Sequence, residues 1–268
     1  MPKLPAIAVI QARMSSNRLP GKVLKPLAGM PMLWHIVERA KACQWVDKVI
    51  VATSTEKSDN AISEYCQQAN IHCHRGSLEN VLERFLAVLA RYNYPYFVRI
   101  TGDCPLIHPP FIDQQINALQ QHDGDMIWTD CLSGLLEGQS VHSTRSLLEV
   151  SKKSTHPDDR EHVGSRYFLE HLDDFHIIGL QLPETLRDNR WRVMVDEEPD
   201  YQLMDSLYQA LWDQQPVVLQ DAIDWLQTHP ELAQTNQDVQ HSAINQELSH
   251  KRIQLTVKLA GMVGWSGE

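Results

Sequence analysis

The stretch Ala6-Ile7-Ala8-Val9-Ile10 is a short, uninterrupted apolar run, and the segment from Gln11 to Lys25 that follows it is polar and basic. An apolar run of this length predicts a parallel strand that is buried on both faces. The segment after it is rich in Arg, Ser, Asn, Pro and Gly, which is typical of a loop. A buried strand that leads into a polar loop favours an α/β fold, in which ligands bind outside the carboxyl ends of the strands.

Apolar runs and amphipathic patterns alternate over the first hundred residues. After the first strand, the pattern predicts helices over 31–41, 59–69 and 78–92, and strands over 46–52, 71–74 and 96–100. This alternation predicts an α/β fold of three layers, with a mostly parallel sheet and helices on both faces. We expect three loops that follow strands to meet at one edge of the sheet, namely 11–25, 75–80 and 101–105.

The second half of the chain carries weaker patterns. They predict short strands over 126–129, 139–142, 175–180 and 190–195, and helices over 157–171, 199–212, 221–227 and 248–262. Beyond Pro230 the chain is rich in Gln and Asn, which is typical of a loosely held segment. We therefore predict one domain over residues 1–230 and a partly helical C-terminal extension over residues 231–268.

The charges of the chain are unevenly distributed. The net charge is −10, which argues against a general nucleic-acid binder because affinity for the phosphate backbone rests on basic surface. Residues 1–37 contain no Asp or Glu but include Lys3, Arg13, Arg18, Lys22 and Lys25. A loop of small and basic residues after a strand can bind phosphate through its N–H groups and cations, although a solvated surface loop would show the same composition.

The sequence also bears on the compartment of the protein. No apolar run approaches the roughly 18 residues that span a bilayer, and the run near the N-terminus is more typical of a first strand than of a signal peptide. The five cysteines never form a C-x-x-C pair, which favours reduced thiols. We expect a cytoplasmic protein without membrane or nucleic-acid partners.

Two aspartates follow predicted strands. Asp103 comes after a strand and after Gly102, a residue that permits close backbone approach, and Asp196 ends a second apolar run. Two carboxylates from separate strand ends would form a Mg²⁺ site with room for water and phosphate oxygens, although a turn or cap role for Asp103 is the alternative. Asp200 follows Pro199 near a helix start, so we interpret it as a cap or first-turn charge.

Five segments of the chain together resemble the cytidylyltransferase family, which includes the CMP-Kdo and CMP-sialate synthetases. The spore-coat-polysaccharide type is the most similar. The segments are QARMSSNRLPGKVLKPLAGMP at 11–31, RGSLENVLERF at 75–85, RITGDCPLI at 99–107, DREHV at 159–163 and RWRVMVDEEPDY at 190–201. The resemblance covers about residues 5 to 210, in family order and spacing, and the first and third segments are the most specific.

This resemblance implies a Rossmann-like nucleotide-diphospho-sugar transferase fold, often assembled as a homodimer. The implied reaction moves CMP from CTP to an acidic sugar or related small anionic acceptor and releases pyrophosphate, with Mg²⁺ held by Asp103 and Asp196. The residues implied for CTP binding are Ala12, Arg13, Ser15, Arg18, Lys22, Ser77, Arg84 and Thr101. The implied catalytic residues are Arg13, Lys22 and the two aspartates.

The acceptor side rests on four residues. Glu161 and His162 match the family's acceptor side, and His162 could accept a proton near neutral pH, although a structural hydrogen bond is an equal alternative. Arg190 and Arg192 would share one face of the predicted strand that leads to Asp196, and a planar guanidinium suits a carboxylate or phosphate. The alternative for both arginines is a surface ion pair with the glutamates that follow Asp196.

Two other functions use similar residues. A GT-A-type glycosyltransferase with a nucleotide-sugar donor would also place carboxylates on a metal at a strand end. Lys22 argues against it, because triphosphate activation needs that charge and glycosyl transfer usually does not. A non-catalytic nucleotide-binding paralogue is the third hypothesis, and the presence of Lys22, Asp103 and Asp196 argues against it.

Overall fold

The computed structural model describes residues 5–187, 190–241, 243–254 and 257–266. The strands, in order along the chain, are β1 (Ala6–Gln11), β2 (Pro26–Leu27), β3 (Met30–Pro31), β4 (Val46–Ser54), β5 (His72–Gly76), β6 (Tyr96–Thr101), β7 (Met126–Thr129), β8 (Gln139–Ser143), β9 (Ile177–Leu180) and β10 (Gly261–Val263). In the described parts of the chain, eight of them form one sheet in the order β10-β9-β7-β8-β6-β1-β4-β5, and β2 and β3 form a small hairpin.

Helices cover both faces of the sheet. They are α1 (Met32–Lys41), α2 (Asn60–Gln68), α3 (Val81–Tyr92), α4 (Pro109–His122), α5 (Thr144–Lys153), α6 (Pro157–Glu161), α7 (Ser165–Glu170), α8 (Glu198–Leu211), α9 (Leu219–Thr228), α10 (Pro230–Ala233) and α11 (Ala243–Gln254). Alternate residues of a strand point to opposite faces. Accordingly Ala8 and Ile10 pack in the core with α1, α4 and α8, and Ile7 and Val9 pack in the core with α3, α5 and α7. The predicted three-layer α/β fold is confirmed.

The sheet is mostly parallel. β1 pairs in parallel with β4 and β6, and β9 pairs in parallel with β7 and β10. β8 is antiparallel to both of its neighbours. It pairs with β7 only between Met126 and His142, so these two strands diverge toward the carboxyl end of β7. This divergence opens the carboxyl edge of the sheet beside β6.

Three predicted elements are wrong in part. Residues 190–196 are not a strand, and the Val195 N–H instead donates to the carbonyl of Asp103 at 2.8 Å. The predicted helix over 157–171 is two helices, α6 and α7, because Val163 and Gly164 have φ of 54° and 78°, which an α-helix does not accommodate. The predicted helix over 248–262 ends at Gln254, and its last residues form β10; residues 255 and 256 lie outside the described residues.

The segment beyond residue 230 contacts the rest of the molecule through secondary structure and through side chains such as Asn236, which donates to Asp200. β10 extends the main sheet by pairing with β9, and α11 packs against α7. The boundary at residue 230 stays a prediction. Among the described helices, none has the length and apolar character needed to cross a membrane.

Candidate active site

A cavity of about 1330 Å³ lies at the carboxyl edge of the sheet, where β7 and β8 diverge. The loops after β1 and β6 meet there, as predicted, whereas the loop 75–80 does not line the cavity. The predicted site residues that line it are Ala12, Arg13, Arg18, Lys22, Arg84, Thr101, Asp103, Glu161, His162, Arg190, Arg192 and Asp196. Ser15 and Ser77 do not line it: Ser15 is exposed, and the Ser77 hydroxyl accepts a hydrogen bond from the Asn80 N–H at 3.1 Å.

Lys22 joins the two predicted metal aspartates. Its ammonium donates to Asp103 Oδ2 at 2.8 Å, to Asp196 Oδ1 at 2.9 Å and to the carbonyl of Val195 at 2.9 Å. Burial opposes the charge of Lys22, but the two carboxylates outweigh it and raise the pKa of the ammonium. The two aspartates therefore converge on one point of the cavity, although Asp196 is delivered by an irregular segment and not by a strand.

Asp196 is surrounded by cations. Its Oδ2 pairs with Arg18 at 2.7 Å and with Arg192 at 2.8 Å, while its Oδ1 accepts from Lys22. Burial acts to raise the pKa of this carboxyl, but Lys22, Arg18 and Arg192 together hold it below the usual range. Asp196 is therefore ionised at neutral pH and is the centre of a dense charge cluster.

Asp200 fixes the segment that carries Asp196. It forms the capping box of α8 with Glu197, which confirms the predicted cap. Its carboxylate also accepts from the Asp196 N–H at 2.9 Å, from Arg192 Nε at 2.9 Å and from Asn236 Nδ2 at 2.8 Å. Asp200 is 1% exposed, so this helix cap also positions the cavity-lining carboxylate four residues before it.

A buried carboxylate also anchors the basic loop. Asp59 is fully buried and accepts from the Met14 N–H at 2.7 Å and from the Ser54 N–H at 3.1 Å. These hydrogen bonds tie the loop after β1 to the carboxyl end of β4. Because the loop backbone is fixed, its basic side chains are presented to the cavity without a large ordering cost.

Two glycines let backbones approach beside Asp103. A Cβ on Gly102 would lie 2.7 Å from the carbonyl oxygen of Gln11, which accepts the Gly102 N–H at 2.9 Å. Gly138 has φ of 73°, and a Cβ there would collide with Cys104 Sγ and Thr101 Oγ1. Close approach at Gly102, which the sequence predicts, is confirmed.

The family model for cytidylyltransferases matches residues 7–239. The chain belongs to the cytidylyltransferase family. It is therefore a nucleotidyltransferase, which decides between this class and the glycosyltransferase and non-catalytic alternatives.

Relatives of this cytidylyltransferase agree with the family match. The chain is 31% identical over 232 residues to the spore coat polysaccharide biosynthesis protein SpsF of Bacillus subtilis, across 84% of this chain and 95% of that protein. It is 37% identical over 115 residues to a 3-deoxy-manno-octulosonate cytidylyltransferase of Pelobacter propionicus, across 42% of this chain and 43% of that protein. A solved cytidylyltransferase structure from Leptospira borgpetersenii has a TM-score of 0.78 at 26% identity, across 88% of this chain and 100% of that one.

The acceptor residues of this cytidylyltransferase lie differently from what the sequence predicts. Because residues 190–195 are not a strand, Arg190 and Arg192 share no strand face. Arg192 pairs with Asp196 and Asp200, whereas the guanidinium of Arg190 lies 5.1 Å from the Trp191 ring centroid. The ion pairs of Arg192 are therefore with these two aspartates, and not with the surface glutamates expected from the sequence.

Glu161 and His162 line the cavity next to each other in the sequence. Glu161 pairs with Arg13 at 3.0 Å through two half-exposed side chains, an interaction of small energy. Burial, and then the neighbouring Arg99, lower the pKa of His162, so its imidazole is neutral at pH 7. Glu161 is therefore a weakly held partner of Arg13, and His162 has the protonation state of a proton acceptor.

Several residues at the site escaped the sequence analysis. Asp59 was covered only by the predicted helix 59–69, and Asn236 lay in the predicted extension. Glu137 lines the cavity, and burial raises its pKa to about 7 with help from Asp196 and Asp103, against the opposing charge of Arg192. The local signal that could have singled out Glu137 as a turn residue is the glycine that follows it in the sequence, Gly138.

Proposed function

We propose that this cytidylyltransferase transfers CMP from CTP to a hydroxyl of an acidic sugar or related small anionic acceptor and releases pyrophosphate. One observation carries the proposal: the Lys22 ammonium lies between the carboxylates of Asp103 and Asp196 at the wall of a large cavity. A triphosphate requires a cation that can move with it, and its counter-ion requires carboxylate ligands.

The basic loop would bind the triphosphate. Arg13, Arg18 and Lys22 all line the cavity, and their present partners are carboxylates that a polyanion can replace. The loop backbone is already fixed by Asp59, so little reorganisation is needed. In this proposal the Lys22 ammonium turns from Asp103 toward the β- and γ-phosphates, where a point charge on a flexible stem can follow the leaving group.

The cytidine would lie toward β4, beside Ala12, Arg84 and Thr101. Arg84 is 2% exposed and donates from Nη1 to the carbonyl of Ala52 at 3.3 Å. Its Nε has no hydrogen-bond partner within the described residues. A buried donor without a partner favours a ligand acceptor atom at this place. Ser15 and Ser77 lie outside the cavity and are the least supported of the predicted CTP residues.

Asp103 and Asp196 fit Mg²⁺. Carboxylate oxygens are the ligands that Mg²⁺ prefers, and this ion usually binds one or two of them and keeps waters and substrate oxygens as its other ligands. A bound Mg²⁺ would neutralise charge on the α-phosphate and on the departing pyrophosphate.

The chemical step is an in-line displacement. The acceptor hydroxyl oxygen forms a bond to the α-phosphorus, the bond from that phosphorus to the bridging oxygen of pyrophosphate breaks, and the hydroxyl proton passes to a base. His162 is the proposed base, since it lines the cavity and is neutral at pH 7. Glu161, Arg190 and Arg192 would lie around the acceptor, with Arg192 acting mainly through its hold on Asp196.

A role in polysaccharide biosynthesis, a cytoplasmic location and a homodimeric assembly belong to the same proposal. They rest on the resemblance to the spore-coat-polysaccharide type and on the names of the relatives. Gel filtration with light scattering measures the assembly directly.

Pyrophosphate release tests the proposal. The enzyme is incubated with CTP or UTP, with Mg²⁺ or with a chelator, and with 2-keto acid sugars, sugar phosphates and neutral sugars. We expect release only with CTP, Mg²⁺ and an anionic acceptor, and a CMP adduct in the mass spectrum. Release with a neutral sugar as the best acceptor, or equal release with the chelator, contradicts the proposal.

The variant Asp103→Asn tests the carboxylate site in the same assay. Loss of a metal ligand removes several kcal/mol of transition-state stabilisation, so kcat is expected to fall by roughly a thousandfold. Asp173→Asn is the matched control, because Asp173 is exposed and lies outside the cavity. A tenfold change in rate corresponds to about 1.36 kcal/mol. Activity of Asp103→Asn within about tenfold of the wild type would therefore contradict the two-carboxylate metal site.

A further inference from the structure

The C-terminal helix α11 forms one wall of the cavity through Arg252. Two ion pairs hold α11 in place, Arg166–Glu247 at 2.8 Å and Lys251–Glu170 at 2.6 Å. The family match ends at residue 239, so family membership assigns no role to this helix. Any function of Arg252 has to be argued from its own surroundings.

Arg252 is held against β7. Its Nη2 donates to Thr129 Oγ1 at 2.9 Å, and its guanidinium lies 4.6 Å from the centroid of the Trp128 ring. No carboxylate of the described residues lies within ion-pair distance of it, and burial lowers its pKa. The guanidinium is thus a positioned cation with an aromatic platform and no acidic partner in the described chain.

The acidic residue that follows β7, Asp130, already has partners. Asp130 pairs with Arg187 and also accepts the Leu182 N–H at 3.0 Å. Among the other arginines of the cavity, Arg13, Arg18 and Arg192 are paired with carboxylates, and Arg190 lies against the Trp191 ring. Arg84 and Arg99 donate to groups at β1, β4 and α7 on the nucleotide side. Arg252 is therefore the described cation best placed for an anion on the side of β7.

We propose that Arg252 binds the anionic group of the acceptor, a carboxylate or a phosphate. A half-buried cation without a counter-charge is costly, and an anionic ligand recovers that cost. The guanidinium is fixed by Thr129 and Trp128 and can present its remaining N–H donors as a fork to two oxygens. The inference rests on the proposed function, because it assigns the acceptor end of the same cavity.

The position of Arg252 also limits the acceptor. β8 lies between β7 and β6 in the sheet, so Thr129 is about 10 Å or more from the end of β6, since neighbouring strands are ~4.8 Å apart. Asp103 lies just beyond that end of β6. An acceptor whose anionic group is several bonds away from its attacking hydroxyl fits this separation.

Direct titration tests the site without turnover. Wild-type enzyme and Arg252→Gln are saturated with CTP in the absence of divalent metal and titrated calorimetrically with glucose 6-phosphate, glucuronate and glucose. The anionic probes are expected to bind the wild type more tightly than glucose does, and Arg252→Gln to weaken them by about 10- to 100-fold, the range for a charge-assisted hydrogen bond.

Two further variants separate charge and geometry from structure. Arg252→Lys keeps the charge but loses the planar fork, so it is expected to restore part of the binding. Lys258→Gln is the matched control, because Lys258 is an exposed lysine six residues after Arg252 that does not line the cavity. With an acceptor found by pyrophosphate release, Arg252→Gln should raise the KM for that acceptor by the same factor and leave the KM for CTP unchanged.

The outcomes distinguish this site from the proposed function. Binding by Arg252→Gln within about two-fold of the wild type, or no saturable binding of either anion to the wild type, overturns the site. Arg252-dependent binding without pyrophosphate release from any acceptor would leave the anion site standing and refute the proposed function. Pyrophosphate release with a KM for the acceptor that is the same in the wild type and in Arg252→Gln would support the proposed function and refute the anion site.

Discussion

Replacement of Lys22 by Met should destabilise the enzyme and change its response to Mg²⁺. The substitution keeps the apolar stem but removes an ammonium that donates to two carboxylates and one carbonyl at 2.8–2.9 Å. Breaking a buried ion pair costs about 3–5 kcal/mol. Asp196 keeps Arg18 and Arg192, and the Asp103 side chain is 22% exposed to water, so we expect the lower end, about 3 kcal/mol.

The loss should depend on pH in a defined direction. The pKa of Asp196 is lowered from 3.8 in the folded protein, so its ion pairs stabilise the fold above that pH and are lost as the pH falls through the folded value. The pKa of Lys22 is raised from 10.5, so its contribution is complete at pH 7. Urea unfolding should therefore show the full difference between wild type and Lys22→Met at pH 7 and a smaller one below about pH 4.

Mg²⁺ should stabilise Lys22→Met more than it stabilises the wild type in the absence of nucleotide. In the wild type the ammonium contacts Asp103 Oδ2 and Asp196 Oδ1, whereas in the variant these two oxygens lose that contact and can bind a cation, and binding to the folded state alone raises its stability. Lys25→Met is the matched control, because Lys25 forms an exposed pair with Glu198 worth about 0–1 kcal/mol. A loss below about 1 kcal/mol for Lys22→Met, with no added response to Mg²⁺, would refute this account of the charge cluster.

Two other predictions concern the turn beside Asp103. Glu137→Gln should be more stable than the wild type by about 1–2 kcal/mol at pH 8 and equal to it near pH 4. The reason is that the pKa of Glu137 is raised to about 7 in the folded protein, so the wild type loses stability as the pH rises toward that value. A pH-independent difference in urea unfolding would contradict this. Gly138→Ala should cost about 2–4 kcal/mol in thermal or urea unfolding, since a Cβ would collide with Cys104. Gly29→Ala shares the positive φ without close neighbours, and an equal cost in both variants would show that the collision is relieved.

Local patterns were sufficient for most of the first half of the fold. The strands at β1, β4, β5 and β6 and the helices between them lie where apolar periodicity predicts them, because the face that each element buries is written in the spacing of its own apolar residues. The second half was harder. The run before Asp196 has a strand-like composition, but its backbone bonds to Asp103 and not to a strand, and edge strand β10 has only three residues.

The site divides in the same way. The basic loop, Asp103 and the cap residue Asp200 could be predicted, because a loop after a strand and a helix start have local signatures. The roles of Glu137 and Arg252 had no such signature. Each depends on which charges pack against it, and those charges come from distant segments.

By itself the sequence determined the order of strands and helices from β1 to β6, the acid-free basic loop, and the family to which the chain belongs. Only the tertiary structure decided that Lys22 lies between Asp103 and Asp196, which are 81 and 174 residues further along the chain, and that Arg192 holds Asp196 and Asp200 in place. Periodicity reports the faces that a segment buries. The partner of a charge is set by which segments the packed core brings together. A local pattern carries no information about a partner so far away along the chain.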